Sequence, residues 1–315
     1  MILVTGATGF IGRHLVTRLL MEGRRVRCLL DERHAAHLPW QMPPEIVTGS
    51  LFDEETAFKA VSGAHVVIHL ESAQWWGRPR DLERVELNGA RALITAARSA
   101  RVGRIITVSH LGASPSAAYA LLRYKGLVEE AVRTSGLAYT ILRSGILFGE
   151  DDAFINHIAM QIHATPLVYL VPGQGEVVLH PLYVEDMVSA LVGSLSAIDT
   201  VDAVIEIGGP EYITFADLIR TVMRVSGTSR MTLSVPPYLL RWAAGFYGRV
   251  LPRALVTPQW FDLIATSKTA HLGNIYRYFG FQPRRLEDTL LTYMRGRRYG
   301  AMALRETLRR RPVRP

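Results

Sequence analysis

The first thirteen residues constrain the fold more than any other stretch of the chain. A short apolar run at residues 2–4 leads directly into a turn with Gly6, Gly9 and Gly12, and an amphipathic helix pattern follows. This succession is the opening unit of a dinucleotide-binding fold. In that unit Gly6 permits the tight turn, Gly9 lets the backbone approach a pyrophosphate, and Gly12 lets the helix pack on the strand. The helix N-terminus offers N–H groups to the phosphates. We therefore expect this loop to bind a dinucleotide.

Strand and helix signals alternate regularly through residue 145. Apolar strand-like runs lie at 25–30, 45–48, 64–70, 104–109 and 138–143, each followed by a turn or a helix pattern. Alternation at this spacing predicts βαβ units, and hence an α/β fold with a doubly wound parallel sheet. We expect a Rossmann domain over residues 1–150, to which a strand and a helix around 177–207 return. Residues 151–294 are expected to form a smaller C-terminal α+β lid or substrate region.

Positive charge is concentrated at the C-terminal end. The net charge is +8, and residues 295–315 hold eight arginines against one acid, Glu306, so they carry seven of the eight net charges. A nearly neutral body argues against a nucleic-acid-binding face on the fold. We expect a basic tail that meets anionic lipid or an acidic protein partner, or a disordered, solvated end.

Two further features bear on location. The first strand begins at residue 2, which leaves no room for a targeting segment ahead of it, and we find no charge-free apolar window of 18 residues. The expected location is the cytoplasm, or the inner face of the cell membrane as a peripheral protein. Residues 236–252 are rich in aromatic residues and arginine. They predict either a helix docked on the lid or an element that contacts a membrane surface or a partner.

Several motifs resemble one protein superfamily. The segment Thr5-Gly-Ala-Thr-Gly-Phe-Ile-Gly-Arg13 resembles the glycine motif of the extended and atypical short-chain dehydrogenase/reductases, as do Val66-Val-Ile-His-Leu70 and Leu142-Arg-Ser-Gly-Ile-Leu-Phe-Gly149. Further matches lie at Asn88, 108–113, 123–125, 183–186, 280–283 and 293–299. Together they resemble the atypical branch that contains the nucleotide-binding accessory subunit of respiratory complex I and its bacterial relatives. The resemblance implies an NAD(P)-binding, oxidoreductase-like protein.

The resemblance also implies a reductase site, which this sequence lacks in part. Reductases of the family use a tyrosine, a lysine four residues later, and a hydroxyl residue at the end of the fifth strand. Lys125 matches the lysine, but Leu121 stands where the tyrosine should be. Leu111 stands at the hydroxyl position, two residues after Ser109. Leucine cannot transfer a proton, so we predict that the tyrosine-dependent site is missing.

Weaker candidates for a catalytic role are Tyr119, Tyr124, His110 and Lys125 itself. Tyr124 is adjacent to Lys125 and so points about 100° away from it on a helix. Tyr119 lies four residues before Arg123, which does not deprotonate and cannot relay a proton. His110, expected in a loop, could act as an acid or base or could make only a structural hydrogen bond. We expect Lys125 to contact the cofactor ribose.

The sequence indicates either NAD(H) or NADP(H), with a slight preference for NADP(H). Asp31 follows the second strand at the place where an acid binds the ribose hydroxyls of NAD. Arg13 and Arg33 could instead pair with the 2′-phosphate of NADP. The other expected cofactor contacts are Thr8, Phe10, Ile11, Ser50, Leu51, Leu70 and Ser109. The spacing of the histidines fits no metal site.

Two functions remain open at this point. The first is a cofactor-binding protein without the tyrosine-dependent site, which serves as a structural, assembly or redox-sensing component of a membrane-associated complex. The second is an NAD(P)H-dependent oxidoreductase or isomerase that acts on a small molecule, as a reductase or in the manner of a sugar-nucleotide epimerase. Trp75 and Trp76, in the loop after the fourth strand, could stack on a substrate or pack under the lid.

Overall fold

A computed structural model describes residues 1–73, 79–250 and 255–308. Trp75, Trp76 and the last seven residues of the basic tail lie outside these ranges. The described strands are β1 (Ile2–Thr5), β2 (Val26–Leu30), β3 (Glu45–Thr48), β4 (Val66–His69), β5 (Arg104–His110), β6 (Ala138–Ser144), β7 (Leu147–Phe148), β8 (Val168–Pro172), β9 (Val178–Leu179), β10 (Leu182–Tyr183), β11 (Ala203–Ile207), β12 (Ile213–Thr214) and β13 (Met231–Val235).

Helices connect most of these strands. They are α1 (Phe10–Met21), α2 (Glu32–Ala35), α3 (Glu54–Val61), α4 (Pro79–Leu82), α5 (Gly89–Ser99), α6 (Ala120–Arg133), α7 (Ile155–Ala164), α8 (Val184–Ser194), α9 (Phe215–Ser226), α10 (Pro237–Val250), α11 (Pro258–Leu263), α12 (Asn274–Phe279), α13 (Leu286–Tyr293) and α14 (Tyr299–Leu308). A π-helical turn, Glu83–Asn88, joins α4 to α5. Among the described residues, no helix combines the length and the apolar character needed to cross a membrane.

Seven strands form one parallel sheet in the order β11-β6-β5-β4-β1-β2-β3. The predicted doubly wound α/β fold is therefore confirmed. The strand order changes direction between β1 and β4, which pair through Val4 and Ile68. In open α/β sheets ligands bind beyond the carboxyl ends of the strands at such a switch point. The glycine turn that follows β1 lies at this position.

Both faces of the sheet are covered, which explains why its central strands are almost wholly apolar. Helices α1 and α8 pack on one face, and helices α3, α5 and α6 on the other. Cys28, in β2, is fully buried in the core between the sheet and helices α1 and α8. Burial raises the pKa of its thiol to about 12. Strand β11 pairs with β6, so residues beyond 177 do return to the sheet.

Apart from the two faces of the sheet, the C-terminal half forms an apolar core of its own, which we call the second core. Helices α7, α9, α11, α13 and α14 contribute to it, and it contains Trp260, whose ring stacks on Phe154 at 5.0 Å and meets Phe215 edge-on at 5.7 Å. Three small two-stranded sheets, β7 with β10, β9 with β12 and β8 with β13, lie in this half.

Three local expectations differ from the structure. The strand expected from about residue 177 is replaced by two short strands, β9 and β10, and the buried His180 between them lies with its Nε2 2.7 Å from the Gly209 carbonyl oxygen. His110 is the last residue of β5 and does not lie in a loop. The basic tail is not disordered up to residue 308. Its residues 299–308 form α14, since Tyr299 is fully buried against the second core.

Candidate cofactor site

The turn after β1 accepts only glycine at two positions. Gly6 has a φ of +68°, and a Cβ there would lie 2.6 Å from the backbone of Leu70 and Glu71. A Cβ on Gly12 would lie 2.2 Å from the Gly6 carbonyl oxygen and 2.6 Å from that of Ala7. The first contact holds the turn against the end of β4, and the second packs α1 on the turn. Both distances agree with the roles that the sequence predicts for these glycines.

The N-terminus of α1 is open to a ligand. Gly9 is the N-cap residue, and no described side chain makes a capping hydrogen bond to this helix. The first N–H groups of a helix have no partner within the helix, and its dipole favours an anion there. The Phe10 ring packs against Gly149 at this end of the helix, so closely that a Cβ on Gly149 would lie 3.2 Å from the ring. Thr8 and Ile11, also expected to contact the cofactor, are partly buried around it.

Arg13 adds a positive charge to the same end of α1. One terminal nitrogen, Nη2, lies 3.5 Å from a carboxylate oxygen of Asp151, and the guanidinium stands 5.8 Å from the centre of the Phe10 ring. Its Nε is buried and has no hydrogen-bond partner among the described residues. A buried donor without a partner is costly unless a ligand supplies an acceptor. The turn and the helix end therefore fit the pyrophosphate of a dinucleotide, and this guanidinium offers a further donor to one of its phosphates.

Asp31, expected at the adenosine ribose, has a second role in the structure. Its carboxylate oxygen Oδ1 accepts the backbone N–H of His34 at 2.8 Å and thereby caps α2. The same oxygen lies 2.8 Å from Nδ1 of the His34 ring. Arg33 is exposed beside it, and the exposed Ser50 accepts the backbone N–H of Phe52 at 3.2 Å. This end of the crevice thus combines the Asp31 carboxylate with two basic side chains, those of Arg33 and His34.

Lys125 forms a buried ion pair that the sequence did not reveal. Its Nζ lies 2.7 Å from Oε2 of Glu86, and the two side chains are 9% and 2% exposed. The other oxygen of Glu86 accepts the hydroxyl of Ser72 and, at 2.9 Å, the N–H of Ala73. Glu86 comes from the π-helical turn. In the reductases this family contains, the lysine charge favours a tyrosinate, whereas here a carboxylate compensates it.

Both leucines at the expected catalytic positions lie in the apolar interior. Leu121 is 0% exposed, and Leu111 is also buried, with its N–H donating to the Ser144 carbonyl at 2.9 Å. The hydroxyl of Ser109 donates to Glu129, whose carboxylate is also paired with Arg143 at 2.6 Å. Ser109 therefore belongs to a buried ionic network with Glu129 of α6 and Arg143 of β6.

The alternative tyrosines have structural roles. Tyr119 is the N-cap residue of α6, and its carbonyl accepts the N–H of Arg123 at 3.0 Å. Tyr124 is partly buried and packs against two cores, the second core and the core between the sheet and helices α3, α5 and α6. The Arg123 guanidinium lies 5.9 Å from its ring centre. Neither residue shares a described hydrogen bond with Lys125.

His110 is neutral at physiological pH. Burial, followed by the positive charges of Lys125 and Lys268, lowers its pKa to about 3. It lines a cavity of about 20 Å³ together with Leu111, Leu122, Gly145, Ile146, Leu179, His180, Leu263 and Lys268. Pockets that bind small molecules usually measure about 300–1,000 Å³. The cavity at His110 is therefore too small to hold a substrate molecule.

Glu71 is an acid at the carboxyl end of β4 that the sequence analysis overlooked. Burial raises its pKa to about 7, with further contributions from the carboxylates of Glu86 and Asp31. The backbone of Glu71 lies against the glycine turn, since a Cβ on Gly6 would stand 2.6 Å from the Glu71 nitrogen. Within the described ranges, no group of three His, Cys, Asp or Glu residues could hold a metal ion.

Cofactor affinity should consequently depend on pH. A raised pKa means that Glu71 is neutral below about pH 7 and becomes an anion above it, where it repels the pyrophosphate. We expect NADH to bind more weakly as the pH rises from about 6 to about 8, by tenfold for each pKa unit that the bound cofactor adds to Glu71. NADH is the suitable probe because a 2′-phosphate would titrate in the same range. Fluorescence titration of wild type and Glu71→Gln measures this, and an equal pH slope in the variant would contradict it.

Comparison with known proteins agrees with this geometry. The sequence model of an NAD(P)H-binding family matches residues 6–163. A mitochondrial NADH dehydrogenase [ubiquinone] 1 alpha subcomplex subunit 9 from Rattus norvegicus is 30% identical over 252 residues, which cover 78% of this chain and 66% of the relative. The chain thus spans just under two thirds of that subunit. The photosystem II assembly factor Ycf39 of Cyanophora paradoxa is 30% identical over 245 residues, covering 77% and 74%.

One relative carries the name of an enzyme, and solved structures share the fold. A ceramide reductase of Caulobacter vibrioides is 34% identical over 192 residues, covering 60% of this chain and 59% of the reductase. A nucleoside-diphosphate-sugar epimerase from Staphylococcus aureus aligns with a TM-score of 0.74 at 18% identity, covering 92% and 99%. The quinone oxidoreductase QOR2 of Escherichia coli, complexed with NADPH, aligns with a TM-score of 0.73 at 18% identity, covering 92% and 98%. The chain belongs to the NAD(P)H-binding family, as an atypical short-chain dehydrogenase/reductase-like protein related to the complex I subunit and to Ycf39.

Proposed function

We propose that this protein binds NAD(P)(H) without tyrosine-dependent chemistry, and that it is a structural, assembly or redox-sensing component of a membrane-associated complex. The observation that carries the proposal is the buried pair of Lys125 with Glu86, beside Leu121 at the tyrosine position. A reductase of this family needs a phenol whose proton is exchanged as hydride moves, and a lysine whose charge favours the phenolate. Here the phenol is absent from its place and the lysine charge is compensated.

The relatives support the second half of the proposal. One is named as a subunit of NADH dehydrogenase and another as an assembly factor for photosystem II. The first name is that of a subunit of a larger complex, and the second is that of a factor that assembles one.

We propose NADP(H) as the preferred cofactor. Arg13 has a buried Nε without a described partner, and Arg33 is exposed at the end of the crevice where the adenosine ribose would lie. Asp31, which would favour the ribose hydroxyls of NAD, already accepts two hydrogen bonds from His34 in its capping role. These features favour a 2′-phosphate over a free hydroxyl.

The test combines binding with turnover. The purified protein is titrated with NADPH and with NADH by fluorescence, and is then assayed for oxidation of the bound cofactor by ketones, quinones and a nucleotide sugar. We expect saturable binding, tighter for NADPH, and an oxidation rate no higher than that of the cofactor alone. Rapid oxidation by any of these acceptors that disappears in a folded Lys125→Met variant would overturn the proposal.

A reductase is the second candidate, because the ceramide reductase resembles this chain and because Glu71 has a pKa of about 7 in the crevice. A group with such a pKa is suited to donate a proton at neutral pH. If an acceptor is found, alanine variants of Tyr119, Tyr124 and His110 and the Glu71→Gln variant identify the donor by their loss of rate.

A further inference from the structure

Helix α10 exposes a row of large apolar side chains. Tyr238, Leu239, Trp242, Phe246 and Tyr247 are all exposed, and Trp242 is 74% accessible. We refer to these five residues as the aromatic face. The rings of Trp242 and Phe246 stack at 6.1 Å, and that of Tyr247 meets Phe246 edge-on at 6.2 Å. A contiguous exposed patch of this kind marks an interaction site more often than an isolated exposed residue does.

The opposite side of α10 is anchored to the protein. Ala244 is buried in the second core, and Leu240 packs partly buried against it. Arg241 forms an ion pair with the buried Asp262 of α11. The helix is therefore held in place by one side, and its aromatic face is left without a partner among the described residues.

A second apolar row lies next to α10 in the chain. In the β8–β13 sheet, Met231 pairs with Val168 and Leu233 with Leu170, and all four side chains are exposed. The residues between them in β8, Tyr169 and Val171, are buried on the other face. Strand β13 ends at Val235 and α10 begins at Pro237, so the two apolar rows follow one another directly.

The charge of this region selects the chemistry of the partner. Between Asp217 and Asp262 the sequence holds no acidic residue and six arginines, at positions 220, 224, 230, 241, 249 and 253. Three of them, Arg220, Arg224 and Arg241, form ion pairs with Asp217, Glu287 and Asp262, so the positive charge offered to a partner comes from the other three. A long segment with net positive charge attracts an anionic surface. Tryptophan and tyrosine favour the boundary between water and lipid, because their rings have an apolar body and a polar group.

We propose that the aromatic face of α10, together with the outer face of the β8–β13 sheet, docks on an anionic lipid bilayer. The helix would lie in the plane of the interface with its rings among the headgroups and acyl chains, while arginines reach lipid phosphates. The inference deepens the proposed function, on whose membrane-associated role it rests, by naming the surface and the partner. Any attraction between the basic tail and anionic lipid would add to the binding by this surface.

The experiment uses the full chain and two kinds of vesicle. Flotation with phosphatidylcholine vesicles containing about 30% phosphatidylglycerol is compared with flotation on phosphatidylcholine alone. We expect at least about tenfold tighter binding to the anionic vesicles, weakened by salt. The variant Trp242→Ser/Phe246→Ser should bind about tenfold more weakly than wild type. The matched control is Tyr276→Ser, which removes an exposed ring on α12.

The outcomes are distinct. Equal binding to both vesicles, or binding of the double variant that matches wild type, overturns the proposal. Sedimentation velocity gives a third check: a dimer that the double variant converts to monomer would assign the face to a second copy of the chain and would also overturn it. NADPH titration of the same samples separates the two proposals, since loss of vesicle binding with cofactor binding retained contradicts only the docking surface.

Discussion

Replacing Glu86 with glutamine should lower the free energy of unfolding by about 3–5 kcal/mol, because it leaves the ammonium of Lys125 buried without a counter-charge. Both side chains are nearly inaccessible, and their Nζ–Oε2 distance is 2.7 Å. Urea denaturation followed by circular dichroism measures the loss. The variant Glu86→Gln/Lys125→Met removes both charges together and should cost much less, since the buried ammonium is gone and the glutamine amide oxygen can still accept the Ala73 N–H.

The pair of variants makes the result decisive. If Glu86→Gln and the double replacement lowered the free energy of unfolding equally, Lys125 would not need the charge of Glu86, and the prediction would be wrong. The prediction also separates stability from function, because it requires no cofactor and no substrate. If Lys125 instead served a tyrosine-like donor, a folded Glu86→Gln protein would be expected to gain NADPH oxidation.

Replacing Gly12 with alanine should weaken NADPH binding by about ten- to a hundredfold. The added Cβ would stand 2.2 Å from the Gly6 carbonyl oxygen, a backbone atom that can move only if the whole turn moves. Overpacking of this kind costs about 1–3 kcal/mol, and each 1.4 kcal/mol is about tenfold in affinity. Isothermal titration with NADPH measures the loss, and thermal unfolding measures the strain in the same sample.

The matched control for this prediction is Gly245→Ala. No atom lies within 4 Å of a Cβ built on Gly245, which is inside α10. Alanine is favoured over glycine in a helix by about 0.5–1 kcal/mol, so stability should stay the same or rise while NADPH binding is unchanged. Binding by Gly12→Ala that equals wild type would show that the turn does not hold the cofactor as inferred.

The fold could be predicted because its signals are local. Each strand of the central sheet is a short apolar run, and Gly6 and Gly12 impose backbone requirements that few other turns share. The exposed and anchored sides of α10 were also partly visible, since its aromatic residues recur at helical spacing. The loss of the tyrosine-dependent site was predicted from Leu111 and Leu121 by the resemblance alone, and the structure places both in the interior.

The features that escaped prediction depend on contacts between distant residues. Glu86 meets Lys125 because a π-helical turn brings its carboxylate beneath α6, and no sequence pattern marks that turn. Asp31 was expected at a ribose, whereas its first hydrogen bond is to the backbone of its own helix. The small cavity at His110 is lined in part by Lys268, which is far from β5 in the chain.

The burial of Cys28 decides by which route the protein could respond to oxidants. Its thiol is the chain's only one, lies wholly inside the sheet, and has a pKa of about 12, so it stays protonated and out of reach of peroxides and disulfides. In the folded protein Cys28 therefore does not undergo sulfenylation or glutathionylation. A redox signal would therefore not reach this protein through a thiol, and the ratio of reduced to oxidised nicotinamide is the route that the proposed cofactor site offers.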